Sequence, residues 1–437
     1  MQITDLINSI ADRGLELFAF GRGRSLPQDL GGICRALLSE RGEASGIALA
    51  RELVALYRGL DAAGREAFFT MLARDFGPDH AAIAAAARAF VAEPSAAGAL
   101  TLAEAAEPPR HELLRRINML PEGTEFVIGL RADALDLADG NPELRIVDAD
   151  LKHVLTSWFS GGFLELRRIT WETPAIILEK LIQYEAVHAI PGWEFLRRRL
   201  ADDRRCYAFF HPALPNEPVI FVQVALVHGL AGEVAPLLDP KAPVGDPAAA
   251  DTAIFYSITN TQKGLRGISF GSFLLKQVVA DLQQTLPNLA TFSTLSPIPG
   301  FRRWLETAAP QHDHPAVRAA AEALLPALAE GGIAAVGRDK GLKAELLGLA
   351  ARYLAAELRP NGRPVDPVAR FHLGNGARLE RLNWAGDISP KGLEQAWGLL
   401  VNYLYDPAEL ERNHEAFANA GRVATSRAVA RQLKPYL

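Results

Sequence analysis

The chain has 437 residues, 49% of them hydrophobic, and carries 46 Lys plus Arg against 51 Asp plus Glu, a net charge of −5. This mildly acidic balance excludes a nonspecific grip on nucleic acid or on an anionic membrane surface. The hydrophobic fraction is that of a globular chain, and at about 100–200 residues per domain the length predicts two or three domains. Cys34 and Cys206 stand alone, so they build neither a disulfide framework nor a CxxC zinc site. No basic region followed by an apolar one opens the chain. The most apolar stretch, 218–227, falls short of the roughly 18 residues a membrane span needs. A cytoplasmic chain without a membrane or nucleic-acid partner is expected.

The first third reads as helix. Leu49, Leu53, Leu56 and Leu60 follow the spacing of one apolar helix face. Asp61 opens a second helix with Phe68, Leu72 and Phe76 in a stripe, and Gly77-Pro78 closes it. Asp79 and His80 begin an Ala-rich helix to about Val91. Residues 1–107 are expected to form a helical bundle suited to oligomer contacts. Pro108-Pro109 marks the boundary, because the residue before each proline is pushed out of the α region. Further helices are expected at 111–119, 148–159, 173–186 and 192–200.

After Arg205 the pattern turns to strand. Residues 206–210 and 219–227 flank a proline-rich turn and predict an antiparallel hairpin. A third strand is expected at 253–258, a helix at 271–286 and a fourth strand at 289–295. An Ala/Leu-rich helical insertion occupies 312–360, strand-like segments return at 369–373 and 378–384, and the tail from Pro407 is helical. The fold class is therefore α+β: an all-helical domain over 1–107, then a sheet-containing domain over 108–437.

Chemistry can be sought in several segments. Residues 262–272 follow a strand and precede a helix, with Gly264, Gly267 and Gly271 among them. Such a loop aims backbone N–H groups at a pyrophosphate. Read as Arg266-x-x-Ser269-x-Gly271, it is one residue off the R/Q-x-x-G-x-G/A pattern and resembles the coenzyme A loop of GNAT acyltransferases. Gly267 to Gly271 also fits G-x-S-x-G, yet a polar loop separates Ser269 from its strand, unlike a nucleophile elbow. In the run STLSPIPGF at 293–301, Pro297 and Pro299 stop the sheet ladder and display Ser296 at a strand end, where α/β sheets place ligands. Read by spacing alone, Ser296 instead caps the following helix. His372 lies beside Gly374-Asn-Gly376, able to enter a cleft from a strand end or to sit satisfied in a core. His312 and His314 form an HxH with no third ligand in view, and Asp148 and Asp150 read as a helix cap rather than a metal pair.

Taken together these runs resemble one family. STLSPIPGF, RCYAFFHP from Arg205, FYSI from Phe255, FHLGNGA from Phe371, GLLVNYLY from Gly398 and WFSGGF from Trp158 are similar to malonyl-CoA decarboxylase, in collinear order from Trp158 to Tyr405. The resemblance implies a helical N-terminal domain before a GNAT-like mixed-sheet catalytic domain. It implies decarboxylation of malonyl-CoA to acetyl-CoA, with coenzyme A as part of the substrate, no further cofactor and no metal. It implies a homotetramer, with Ser296 and His372 as catalytic residues. The coenzyme A loop then falls on Arg266, Gly267, Ile268, Ser269, Phe270, Gly271 and Ser272, where the family often has an acidic residue in place of Ser269. Tyr405 and Asn402 are further candidates for hydrogen bonding near the site. The same fold also hosts acyl-CoA-dependent acyltransferases, which would need an acceptor amine.

Overall fold

The computed structural model of the chain describes residues 29–39, 42–138, 140–268, 270 and 273–437. It parts into two compact units.

The first unit is helical: α1 (Leu30–Leu38), α2 (Glu43–Arg58), α3 (Ala62–Asp75), α4 (His80–Ala92), α5 (Ala96–Ala106), α6 (Pro109–Ile117), α7 (Gly123–Ala138) and α8 (Arg145–Trp158). The sequence caps act as expected. Asp61 accepts from Gly64 N–H at 2.8 Å, and Asp79 accepts from Ala81 and Ala82 N–H at 2.8 and 3.1 Å. Leu49, Leu53, Phe68, Leu72 and Phe76 are buried, while Leu56 turns outward. Helices α4 and α5 bury no side chain, and Val91 and Leu100 are 78% and 61% exposed.

The expected break at residue 107 is not a break in packing. Pro108 stands before α6, Pro109 takes its first position, and Arg110 reaches back to the Phe76 carbonyl at 3.2 Å and across to Asp150. The helical unit runs on to Leu164 and also takes in His211–Pro215 and 262–268. Asp148 and Asp150 are not the caps expected. Both lie inside α8, where Asp148 meets Arg131 at 2.9 Å and Asp150 meets Arg110 and His111.

The second unit is a mixed sheet with helices. Its strands are β1 (Glu165–Ile169), β2 (Arg204–Phe210), β3 (Pro218–Val227), β4 (Thr252–Asn260), β5 (Thr291–Thr294), β6 (Ser296–Pro297), β7 (Arg378–Asn383) and β8 (Leu400–Leu404). Its helices are α9 (Ala175–Tyr184), α10 (Trp193–Arg199), α11 (Ala235–Leu238), α12 (Phe273–Thr285), α13 (Phe301–Thr307), α14 (Pro315–Arg338), α15 (Lys340–Ala355), α16 (Pro367–Gly374), α17 (Pro390–Ala396), α18 (Leu410–Ala420) and α19 (Arg427–Leu433). Strand order is β1-β2-β3-β4-β5-β8-β6, with β7 beside β8. Strands β1 to β4 pair antiparallel, as the hairpin reading required. Strands β4 and β5 pair parallel from Thr252/Thr291 to Phe255/Thr294; β4 then continues to Asn260 while β5 gives way to β6, which pairs β8. This is the α+β arrangement expected, a helical part followed by a mixed sheet with helices.

Burial explains the near-continuous apolar runs of β2 and β3. Cys206, Ala208, Phe210 and Phe221 pack against Ile177, Leu178 and Leu181 of α9 and Leu196 of α10. Tyr207, on the alternate face, bonds Asp281 of α12 at 2.6 Å. The helical insertion is present as α14 and α15. Helix α14 has the length and apolar composition of a membrane span. Gly331 (φ −144°) and Gly332 (φ +59°) break it, and each part falls short of the roughly 18 residues that crossing needs.

One strand expectation is wrong. Residues 369–373 belong to helix α16. Asp366 caps it by accepting from Ala369 N–H at 2.7 Å, and Pro367 takes the first position, where its missing N–H costs nothing.

Candidate active site

Three elements converge in the sheet unit. Strand β5 ends at Thr294, and Leu295 N–H bonds the Phe255 carbonyl at 3.0 Å. Ser296 then pairs with Val401 of β8 and is buried. Gly300 (φ +86°) ends the turn before α13, where a Cβ would stand 3.0 Å from the Tyr353 hydroxyl. The helix reading of spacing is thus half right: α13 follows, but Gly300, not Ser296, is its cap residue.

Helix α16 brings His372 to Ser296, with Nε2 and Oγ 3.2 Å apart. The Tyr405 hydroxyl lies 2.7 Å from His372 Nδ1. The Tyr403 ring stacks on the imidazole, centroids 4.6 Å apart at 26°. Ser296, His372 and Tyr405 are 5%, 3% and 5% exposed. Burial pushes the His372 pKa down to about 3, so the ring is neutral at physiological pH. Burial raises the Tyr405 pKa, so it stays a phenol. A phenol that donates to Nδ1 leaves the imidazole proton on Nε2.

Asn402 acts from behind. Its Nδ2 donates to the Thr294 and Ala231 carbonyls at 2.6 and 3.1 Å. Its Oδ1 accepts from Asn383 and Arg381 at 2.8 and 3.1 Å. Asn402 therefore braces the strand ends, while Tyr405 touches the histidine itself. A cavity of about 370 Å³ opens beside Tyr405, lined also by Leu275, Lys276, Val279, Asn375 and Leu410.

The other sequence candidates lie elsewhere. In the loop, Lys263–Leu265 form a 3-10 turn, Arg131 Nη1 donates to the Gly264 carbonyl at 2.6 Å, and Gly267 has φ +75°. Arg266 and Gly267 are exposed, Ile268 and Phe270 are buried. Ser269, Gly271 and Ser272 lie outside the described residues, and with them the nucleophile-elbow reading. His312 pairs with Glu357 at 3.2 Å, and His314 meets the Leu437 carbonyl at 3.0 Å. Thr294, Tyr403 and Asp366 were not anticipated. Only Asp366 left a local signal, an Asp-Pro pair that opens a helix.

A family profile for the malonyl-CoA decarboxylase C-terminal domain matches residues 162–437, and one for its N-terminal domain matches 76–159. Their junction falls near Leu164, where the helical unit ends. The mitochondrial malonyl-CoA decarboxylase of Anser anser anser is 35% identical over 413 residues, 86% of this chain and 82% of that protein. The mitochondrial enzyme of Mus musculus is 34% identical over 424 residues, 89% of this chain and 86% of that one. The crystal structure of malonyl-CoA decarboxylase from Rhodopseudomonas palustris is 50% identical with a TM-score of 0.87, covering 92% of this chain and 98% of that one. The structure from Agrobacterium vitis is 48% identical with a TM-score of 0.84, covering 93% and 100%. On profile matches that span most of its length, and on relatives 35% and 34% identical along most of both chains, this chain belongs to the malonyl-CoA decarboxylase family.

Proposed function

We propose that this chain converts malonyl-CoA to acetyl-CoA and CO2 through Ser296 and His372, without a metal or prosthetic group. The observation that carries the roles is the buried contact of Ser296 Oγ with His372 Nε2, continued from Nδ1 to the Tyr405 phenol. The bond from C2 to the carboxylate breaks. Its electron pair enters the thioester carbonyl to give an enolate, CO2 leaves, and C2 takes one proton.

Each group has a part. The Ser296 hydroxyl holds the malonyl carboxylate so that the breaking bond lies along the carbonyl π system. A fixed donor of this kind is worth about 10²–10³ in rate. The near-complete burial of Ser296 and His372 strips water from the carboxylate but not from neutral CO2. His372 gives its Nε2 proton to C2. A neutral ring holds no second proton in reserve, so Nδ1 takes that of Tyr405 as Nε2 gives its own. Tyr405 borders the cavity and is refilled from water. One solvent proton is consumed per turnover, and no covalent intermediate is required.

We assign the pyrophosphate of coenzyme A to Arg266, Gly267, Ile268, Ser269, Phe270, Gly271 and Ser272. The exposure of Arg266 and Gly267, the positive φ of Gly267 and the start of α12 at Phe273 support this. We also propose a homotetramer. The apolar, uncovered helices α4 and α5 favour self-association. The buried free thiols Cys34 and Cys206 suit a reducing cytoplasm. Consumption of malonyl-CoA gives the chain a place in fatty-acid metabolism.

The test is to incubate purified protein with malonyl-CoA, without any amine acceptor, with and without a chelator, and to follow acetyl-CoA by mass. Equal formation in both supports the reading. Intact malonyl-CoA, or a requirement for an amine, sinks it.

A further inference from the structure

Thr294 is completely buried, and nothing in the reaction calls for it. Its hydroxyl oxygen nevertheless accepts two hydrogen bonds, from the Ser296 hydroxyl at 2.9 Å and from the Tyr403 backbone N–H at 3.1 Å. Its carbonyl accepts from Asn402 Nδ2 at 2.6 Å. Strand β8 thus grips Thr294 through both backbone and side chain, and Thr294 grips Ser296.

The direction of these bonds matters. Ser296 gives its proton to Thr294, so a Ser296 lone pair faces His372 Nε2. With the serine proton given to Thr294, Nε2 must carry the hydrogen that this lone pair accepts; Nδ1 of the neutral ring is then bare, and the Tyr405 phenol 2.7 Å away donates to it. Every bond from Tyr405 to Thr294 runs the same way. In a Ser-His-Asp triad the run is reversed: a carboxylate accepts from Nδ1, and Nε2 takes the serine proton. Here a phenol stands in place of the carboxylate, and a threonine removes the serine proton from the histidine's reach.

We propose that Thr294 is a positioning residue that holds Ser296 with its oxygen toward His372 and its proton turned away, making Ser296 a preset hydroxyl for the malonyl carboxylate instead of a nucleophile. When the carboxylate arrives, the O–H rotates from Thr294 to the substrate while the oxygen stays in place. A neutral hydrogen bond is exchanged for a charge-assisted one. Without the acceptor, Ser296 is released to its other staggered rotamers, and its hydroxyl can turn to Nε2. This inference rests on the decarboxylase reading.

The test is a double-mutant cycle on the full chain. Thr294→Val keeps the shape and removes the acceptor; Thr294→Ser keeps the acceptor. Thr294→Val should lower kcat about 10-fold or more with KM within about twofold, while Thr294→Ser stays within about twofold on both. In a Ser296→Ala background, Thr294→Val should cost nothing further, because it acts through the missing hydroxyl. Unchanged kcat in Thr294→Val, an equal loss in Thr294→Ser, or the same loss repeated in the Ser296→Ala background overturns the proposal. A fluorophosphonate probe reads the bond direction without turnover. Ser296 should resist labelling in the wild type and be labelled in Thr294→Val. Wild-type labelling at Ser296 overturns the proposal, whereas an inactive wild type with this labelling pattern counts against the decarboxylase reading alone.

Discussion

Two buried polar centres of the sheet unit, around Glu185 and around His372, are built on opposite plans. Glu185 accepts from Val187 and His188 N–H at 2.7 and 3.1 Å, from the hydroxyls of Ser257 and Thr259 at 2.9 and 3.2 Å, and from the Gln223 amide. Its carboxylate is surrounded by donors on every side, so its charge is spent on holding α9, β3 and β4 together. His372 has one partner on each nitrogen, both neutral hydroxyls, and its flank is an aromatic face. Nothing there consumes a charge, so the centre can meet one that arrives with a substrate. A carboxylate ringed by donors marks a structural centre, and a buried neutral pair with no charge to match marks a chemical one.

The sharpest way to break this contrast is to substitute both centres. His372→Gln should lower kcat by about 10²–10⁴-fold, the usual weight of a general acid–base group, and, because it fills most of the same buried volume, shift the thermal midpoint little. Ser296→Ala should lose at least about 10²-fold, with coenzyme A binding kept. Glu185→Ala should do the reverse. Stranding several buried donors costs at least about 3 kcal/mol, so the midpoint should fall by several degrees while kcat per folded molecule holds. Steady-state kinetics beside a thermal melt reads both. If Glu185→Ala lost turnover without losing stability, a ring of donors would be no guide to role.

What the sequence revealed follows the same division. Ser296 was legible because Pro297 and Pro299 interrupt a strand, and a local signal sufficed. His372 was found by its place beside a glycine turn but assigned to a strand, since Phe-His-Leu reads as β when Asp366-Pro367 is passed over as a cap. Thr294 and Tyr403 were illegible. Their meeting depends on β8 returning beside β5 from over a hundred residues away, a register set by tertiary packing (Ser293 opposite Leu404) and not by any local pattern. The helical unit's end was missed for a related reason: Pro108-Pro109 breaks a helix, but Arg110 ties the next one back to α3 and α8.

A finer break concerns the proton. Tyr405→Phe keeps the ring and removes the hydroxyl at Nδ1. Turnover should fall by about 10–10²-fold with KM little changed, because His372 then gives up its proton without replacement. A full solvent isotope effect that disappears in the variant would identify the step. Wild-type kcat in Tyr405→Phe would mean that Nε2 is refilled from elsewhere.

The smallest expected effect belongs to Asp366, the cap of the helix that carries His372. It is wholly buried, one carboxyl oxygen takes the Ala369 N–H, and the other has no partner among the described residues. Burial raises its pKa from 3.8 to about 7, against a smaller pull from the backbone N–H groups at the helix start and, last, from Arg370. The Tyr353 and Tyr403 hydroxyls nearby are pushed up in turn by burial first and then by its charge. The folded state holds this proton up to about pH 7, while the unfolded chain releases it near 3.8. Stability must therefore fall as pH rises through that window and level off above it. His372 works the other way, since its folded pKa of about 3 lies below the ordinary 6.5 and its contribution grows as pH rises between them. Asp366→Asn keeps the cap, does not titrate and leaves His372 in place, so the difference between the two melting curves isolates Asp366. The ionised carboxyl costs up to about 4 kcal/mol by its shift, and an amide that must find its own partner gives back part of that. Asp366→Asn should be about 1–2 kcal/mol more stable than the wild type at pH 8 and no more stable at pH 4. An equal gain at both pH values would show that the cap, and not the buried proton, governs how firmly the helix holds His372.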